Sequence, residues 1–325
     1  MSKPRVFLTR LILESGLKPV QDFCETEIWT SELPPNRDEL LRCVPGQNGL
    51  LCLLTDRIDA EVMDACGPGL KVISNCAVGV DNVDVPAANA RRIPVGNTPG
   101  VLTDATADFA FALLMAAARR VVEGERQVRS GGWKTWSLDT LLGADFAGAT
   151  LGLVGFGRIG RAVARRATGF GMRIIFTDPT PAEPEPGVET AQVDFDTLLR
   201  ESDFVSLHTP LTDETRGLMN AAAFAKMKPT SVLVNTSRGP VVDQSALYEA
   251  LKSHRIFAAA LDVTVPEPLP TDSLLLTLEN CIVVPHIASA SWQTRQKMSR
   301  MAAENLIAGL KGERMPNCTN PEVYK

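Results

Sequence analysis

The sequence has no surplus of positive charge. Its 33 Lys and Arg are outnumbered by 38 Asp and Glu, giving a net charge of −5. Phosphate backbones and anionic membrane surfaces are bound by clustered cations, so neither nucleic acid nor a membrane is an expected partner. A small anion stays open, because one arginine and a few backbone N–H groups suffice to bind it. Paired cysteine spacing is also missing. The seven cysteines (Cys24, Cys43, Cys52, Cys66, Cys76, Cys281 and Cys318) are odd in number and include no C-x-x-C. Most lie in apolar runs such as Leu51-Cys52-Leu53, which reads as reduced thiols in a cytoplasmic protein, with no disulfide framework and no metal site. No secretory leader is expected, since Arg10 and Glu14 interrupt the first apolar stretch. The longest apolar helix-like run, residues 109–118, is too short to cross a bilayer. Histidine is scarce: only His208, His254 and His286.

Within those limits, 45% hydrophobic and 22% charged residues describe a globular chain, and 325 residues allow two domains. Short apolar runs alternate with longer amphipathic stretches, the pattern of parallel strands with crossover helices. Strands are expected at residues 5–8, 49–54, 70–73 and 93–95, then at 150–154, 173–177, 204–208, 231–235, 258–262 and 281–284. The turn Asn97-Thr98-Pro99-Gly100 precedes an Ala- and Leu-rich helix over about 103–120, with Asp104 in its first turn and Arg119-Arg120 in its last. A second long helix is expected over about 291–310. The expected fold is α/β: two doubly wound parallel-sheet domains of Rossmann or flavodoxin type with a cleft between them. Residues 1–100 plus about 291–325 form a substrate domain, and about 101–290 a dinucleotide domain. No added regulatory domain is expected.

The sharpest local signal is Gly155-Phe156-Gly157-Arg158-Ile159-Gly160. It follows a buried-looking strand, and Arg161-Ala162-Val163-Ala164 reads as the opening of a helix. Gly155 makes the tight turn, Gly157 admits a pyrophosphate to the backbone, and Gly160 lets helix pack on strand. The helix N-terminus supplies N–H groups and positive dipole. Asp178 stands 18 residues past Gly160 at the end of the next strand, where a carboxylate accepts from ribose hydroxyls and repels a 2′-phosphate. The following Pro179-Thr180-Pro181-Ala182-Glu183 holds no cation, so NAD is preferred over NADP, with NADPH possible.

Hydride transfer to a carbonyl needs a proton donor, and His suits that chemistry near neutral pH. His286 follows an apolar strand and precedes the small-residue run Ile287-Ala288-Ser289-Ala290-Ser291. His208 also ends a strand and is its rival, whereas His254 reads as a solvated helix end. Arg238 follows another strand, where a guanidinium can hold a 2-oxo carboxylate by two hydrogen bonds. Asp262 ends a further strand, and Glu267 lies between Pro266 and Pro268. A carboxylate paired to an imidazole fixes its tautomer and raises its basicity.

With these motifs, the sequence resembles the D-isomer-specific 2-hydroxyacid dehydrogenase family. The resemblance rests on Val78-Gly79-Val80-Asp81-Asn82-Val83-Asp84, Asn97-Thr98-Pro99-Gly100, the Gly155–Gly160 turn, Asn235-Thr236-Ser237-Arg238-Gly239, Leu261-Asp262-Val263, Pro266-Glu267-Pro268 and Pro285-His286-Ile287. Within the family it is most similar to the glyoxylate/hydroxypyruvate reductases, through residues 50–56, 70–74, 131–136 and 261–270. The resemblance implies that His286 is the acid/base, Glu267 its partner and Arg238 the substrate anchor. It further implies that the N–H groups of Val78 and Gly79 bind the substrate carboxylate, with Leu54 lining the same pocket. Arg158 and Ile159 would face the pyrophosphate. Thr106, Thr209, Pro210, Thr236, Asp262 and Ala288 would line the rest of the cofactor, Asp262 at the carboxamide. Ala288 departs from the family's usual Gly, and Asp178-Pro179 from the Gly-Arg or Ser-Arg of NADP-using relatives.

The implied reaction is reversible reduction of a small 2-oxo acid, glyoxylate or hydroxypyruvate, to glycolate or D-glycerate. The resemblance also implies a homodimer, with the Trp133–Trp136 segment on an arm toward the partner's active site. Another dehydrogenase of the family (phosphoglycerate, phosphite or formate type) and an NAD-sensing protein like the family's corepressors stay open.

Overall fold

A computed structural model describes residues 3–181 and 185–325. The chain divides into two compact units, one of Met1–Leu102 with Ala290–Lys325, the other of Thr103–Ser289.

The first unit holds a five-stranded parallel sheet: β1 (Arg5–Leu8), β2 (Glu25–Ile28), β3 (Gly49–Cys52), β4 (Val72–Asn75) and β5 (Val95–Gly96). Their order, β2-β1-β3-β4-β5, is the flavodoxin type of doubly wound sheet. Alternate residues serve opposite faces. Phe7, Leu50, Ile73 and Val95 pack with Leu40, Val62 and Met63 on one side. Val6, Leu8, Leu51 and Val72 pack on the other with Met298, Ala302, Leu306 and Leu310 of the helix Trp292–Lys311. Both ends of that helix are specified locally. The Ser291 side chain accepts from the Thr294 N–H at the start, and Gly312 takes φ 76° at the end.

Two features depart from the sequence expectation. β2 was not anticipated, because Glu25-Thr26-Glu27-Ile28 is a half-exposed edge strand without an apolar run. The strand expected at 70–73 lies instead at Val72–Asn75. It tolerates polar residues because the Ser74 hydroxyl donates to the Ala302 carbonyl (2.8 Å) and the Asn75 amide is fully bonded.

The second unit holds seven parallel strands: β6 (Thr150–Val154), β7 (Arg173–Thr177), β8 (Thr190–Gln192), β9 (Phe204–Leu207), β10 (Val232–Asn235), β11 (Ala258–Leu261) and β12 (Cys281–Val283). The order β12-β11-β10-β9-β6-β7-β8 reverses between β6 and β9, and open α/β sheets bind ligands beyond the strand ends at such a reversal. Both faces are covered. One carries the helix Thr103–Ala118 through Ala107, Ala110, Phe111 and Leu114, with Leu151, Leu153, Val232 and Val234 beneath. The other carries Leu198, Phe224, Leu247 and Leu251 over Val205, Leu207, Leu233 and Leu261. Emptying one such site, as in Leu114→Ala, costs about 2–5 kcal/mol. The helix stops at Ala118 rather than Arg120, because Arg120 turns left-handed at φ 51° before the next helix, Val121–Arg129. Among the described residues no helix is long and apolar enough to cross a membrane.

Candidate active site

The glycine turn joins β6 to the helix Arg158–Thr168, which begins three residues earlier than the sequence suggested. Gly155 takes φ 93°, and a Cβ there would stand 2.8 Å from the His208 carbonyl oxygen. At Gly160 a Cβ would stand 2.3 Å from the Gly155 oxygen, so the helix seats against the turn only because Gly160 is bare. Gly157 differs, since a Cβ there would meet nothing within 4 Å. It opens the helix with no side-chain cap, leaving the first N–H groups, including those of Arg158 and Ile159, for an anion.

Asp178 follows β7 and braces this turn. Its Oδ2 accepts from the Phe156 N–H (2.9 Å), and its Oδ1 from the Thr180 N–H (3.1 Å) and hydroxyl (2.9 Å). Burial raises its pKa, but these donors and the nearby Arg161 charge prevail, so it is held below the usual carboxylate range. A carboxylate has about four acceptor positions, so Oδ2 retains capacity for a ribose hydroxyl. Arg161 and Arg165 pair with Glu185, and the Arg161 guanidinium lies 4.9 Å over the Phe156 ring. Ala182 and Glu183, part of the cation-free stretch that argued for NAD, lie outside the described residues.

Beyond β9 and β10 stand Thr209, Pro210 and Thr236. The hydroxyls of Thr209 and Thr236 are buried with no partner among the described residues. Buried hydroxyls are costly when unsatisfied. Together with the open cradle at Gly157 and the uncapped helix, they fit a dinucleotide laid across these strand ends. Thr106 is buried in the helix Thr103–Ala118.

Three loops at the β10–β12 end bring the charged residues together. Asn235, fully buried at the tip of β10, accepts from the Ser237 N–H (3.0 Å) and hydroxyl (2.8 Å) and donates to the Arg238 carbonyl (2.9 Å). The Arg238 guanidinium donates to the Ser237 carbonyl (2.8 Å). At Gly239 a Cβ would stand 2.0 Å from the Thr264 carbonyl oxygen, so only glycine lets the Arg238 loop seat against the loop after β11. In that second loop the Thr264 N–H donates to Glu267 Oε1 (3.0 Å), and Glu267 Oε2 faces His286 Nδ1 at 2.9 Å. Burial raises the Glu267 pKa, but the imidazole, the Thr264 N–H and the Arg238 charge outweigh it, leaving the carboxyl below its ordinary value. An ionised Glu267 requires the proton of a neutral His286 on Nδ1, so Nε2 is the nitrogen that exchanges a proton.

His286 adopts φ 54°. Its N–H donates to the Asp262 carbonyl (2.9 Å), while the Asp262 carboxylate accepts from the N–H groups of Ile287 (2.6 Å) and Ala288 (2.9 Å). Asp262 is almost fully buried. Burial drives its pKa up, and those N–H groups and the His286 charge oppose it. It therefore clamps the whole His286–Ala288 turn. His208 has a different setting. Among the described residues its Nε2 meets the Ser206 hydroxyl alone (2.9 Å), and burial pushes its pKa down to about 4 although part of the residue reaches the surface. His254 is exposed at φ 52°, after the helix Gln244–Lys252.

In the first unit, Leu54 follows β3, and Val78 and Gly79 lie in the loop after β4, all partly exposed. The sequence motifs contain Asn235 and Thr264 but assign neither a role, and they do not reach the Arg161–Glu185 contact. Asn235 carried a usable signal, since Asn two residues before Ser is an Asx-turn pattern.

A dinucleotide fold whose strand ends carry a carboxylate-paired histidine and an arginine defines a nicotinamide-dependent oxidoreductase. The chain belongs to the D-isomer specific 2-hydroxyacid dehydrogenase family: the model of that family's NAD binding domain matches residues 111–288. The glyoxylate reductase of Korarchaeum cryptofilum is 54% identical over 99% of this chain and 98% of its own length. The crystal structure of a Thermus thermophilus protein superposes with a TM-score of 0.92 at 49% identity, covering 97% of this chain and 99% of that one. An NADPH-dependent glyoxylate/hydroxypyruvate reductase of Sinorhizobium meliloti, solved with NADP and malonate, gives a TM-score of 0.86 at 32% identity, covering 98% of each chain.

Proposed function

We propose that the protein reduces glyoxylate and hydroxypyruvate to glycolate and D-glycerate, preferring NADH. The observation that carries the reading is the 2.9 Å contact of His286 Nδ1 with a Glu267 carboxylate that Thr264 already holds. A bound dihydronicotinamide supplies the hydride that reduces the 2-carbon. His286 gives its Nε2 proton to the carbonyl oxygen, and Glu267 stabilises the imidazolium before the transfer. Arg238 anchors the substrate and polarises its carbonyl. Val78 and Gly79 offer N–H groups to the carboxylate, beside Leu54.

For the cofactor, the Gly155–Gly160 turn with Arg158 and Ile159 takes the pyrophosphate. Thr106, Thr209, Pro210, Thr236, Asp262 and Ala288 line the remainder. NADH preference rests on Asp178, whose ionised carboxylate repels a 2′-phosphate, and on the engagement of Arg161 and Arg165 by Glu185. Glyoxylate, hydroxypyruvate and pyruvate assayed with NADH and with NADPH test both parts. No turnover of the first two sinks the substrate assignment, and higher kcat/KM with NADPH sinks the cofactor one.

A homodimer is part of this reading. Trp133, Trp136, Leu138 and Leu142 are 61–81% exposed, an apolar display that a second copy of the chain would cover. Light scattering behind a sizing column should return twice the 35.1 kDa chain mass, and a monomer at micromolar concentration would refute it.

A further inference from the structure

The loop after β4 treats its two kinds of backbone group unequally. Four successive carbonyls are taken from within the unit. Ala77 O accepts from the Thr98 N–H (2.9 Å) and Val80 O from the Val83 N–H (2.9 Å). Between them, Val78 O accepts from the Asn97 side-chain amide (2.8 Å) and Gly79 O from the Asn75 side-chain amide (2.9 Å). The N–H groups of Val78 and Gly79 donate to no acceptor among the described residues, and both residues are partly exposed. A run of backbone with its oxygens held inward and its N–H groups turned out is an anion cradle.

Asn75 is held in one orientation through its side chain, and Asn97 is held in place through its backbone. Asn75 is fully buried at the tip of β4. Its amide spends its second hydrogen on Asn82 Oδ1 (2.9 Å), and its oxygen faces the Cys52 thiol (3.5 Å). Flipped, that oxygen would face the Gly79 carbonyl, acceptor against acceptor. Asn82 in turn donates to the carbonyls of Leu53 (2.9 Å) and Asp56 (3.0 Å), tying in the loop that bears Leu54. Asn97 is fixed through its backbone, whose carbonyl accepts from the buried Asn305 amide (2.8 Å) in the helix Trp292–Lys311.

We propose that Asn75 and Asn97 are positioning residues: by gripping the Gly79 and Val78 carbonyls from inside, they aim the neighbouring N–H groups at the substrate carboxylate. The proposal rests on the reading of the chain as a 2-oxo acid reductase, and it assigns substrate affinity to two side chains that do not touch substrate. Asn97→Ala removes the grip on Val78, while the near-isosteric Asn97→Asp sets a carboxylate oxygen against the Val78 carbonyl.

The test uses the full-length protein loaded with NADH, with oxalate as the carboxylate probe by calorimetry and glyoxylate as substrate. Asn97→Ala should raise the oxalate Kd and the glyoxylate KM about tenfold, the worth of one charge-assisted hydrogen bond. Asn97→Asp should raise both further. In each, kcat should change less than threefold, with Tm and NADH Kd near wild type. A purely structural role would move Tm and NADH binding instead. Asn75→Ser probes the second carbonyl, and if it does not fold, the Asn97 pair decides alone. Wild-type oxalate affinity in Asn97→Asp overturns the proposal. So does a wild-type protein that binds no oxalate, or a loss of oxalate matched by an equal loss of NADH. A protein that reduces no 2-oxo acid, yet binds oxalate and loses it in Asn97→Asp, refutes the proposed reaction while supporting the cradle.

Discussion

His286 and His208 follow strands of one parallel sheet, at the carboxyl ends where ligands gather, yet they are chemically unlike. His286 leans on an ionised carboxylate that a backbone N–H fixes, and its backbone is clamped by Asp262. Among the described residues His208 has one neutral hydroxyl for a partner, and burial pushes its pKa down to about 4. At neutral pH His208 is therefore held in its neutral form, without the acidic imidazolium proton that a general acid gives. Residue type and strand-end position are common to both, so the neighbours decide which histidine is equipped for acid/base work.

The largest way to break this contrast is His286→Ala, expected to lower kcat by about 10²- to 10⁴-fold with NADH binding retained. Near-normal turnover in steady-state assays would end the assignment. Glu267→Gln should come next, at roughly a hundredfold in kcat, because a neutral amide neither fixes the Nδ1 proton nor stabilises the imidazolium. An unchanged pH–rate profile in that variant would detach Glu267 from the proton transfer. Asp178→Ala concerns the other end of the cofactor and should narrow the NADH over NADPH ratio of kcat/KM about tenfold, leaving kcat with NADH within a few-fold. A ratio that does not move would clear Asp178 of discrimination.

The smallest effect is expected for His208→Gln, with kcat at pH 7 within a few-fold of wild type. Its signature lies in stability. His208 has its pKa depressed on folding, so the unfolded chain takes up a proton that the folded one refuses as pH falls from 6.5 towards 4. Wild-type stability should drop across that window, and the variant's should drop less. Parallel Tm–pH curves would mean that the imidazole is better solvated than its burial indicates.

Much of the fold was legible because interior parallel strands, covered on both faces, leave unbroken apolar runs such as Leu151–Val154 and Val232–Val234. The edge strands β2 and β8 were not legible, since half-exposed polar residues at a sheet margin read as loop. The candidate site divides in a similar way. Glycines, His286, Glu267 and Arg238 announce themselves by residue type and place. The braces do not, because Asn75 and Gly79, Asn97 and Val78, or Gly239 and Thr264 meet only through the fold. An asparagine that donates to a carbonyl looks in sequence like any turn residue. Gly239 is visible in sequence, but the Thr264 carbonyl that its missing Cβ admits is not.

The helix Trp292–Lys311 has a consequence in time. Met298, Ala302, Leu306 and Leu310 cover one face of the first sheet, yet they leave the ribosome only after the whole second unit has been made. Through that interval Val6, Leu8, Leu51 and Val72 have only the partial cover of Ile12 and Val20, and a nascent chain with a half-covered apolar sheet is exposed to aggregation. Synthesis thus leaves the first-made unit to be finished last, and shortening the chain before residue 292 should yield a soluble second unit joined to an unfinished, chaperone-dependent first one.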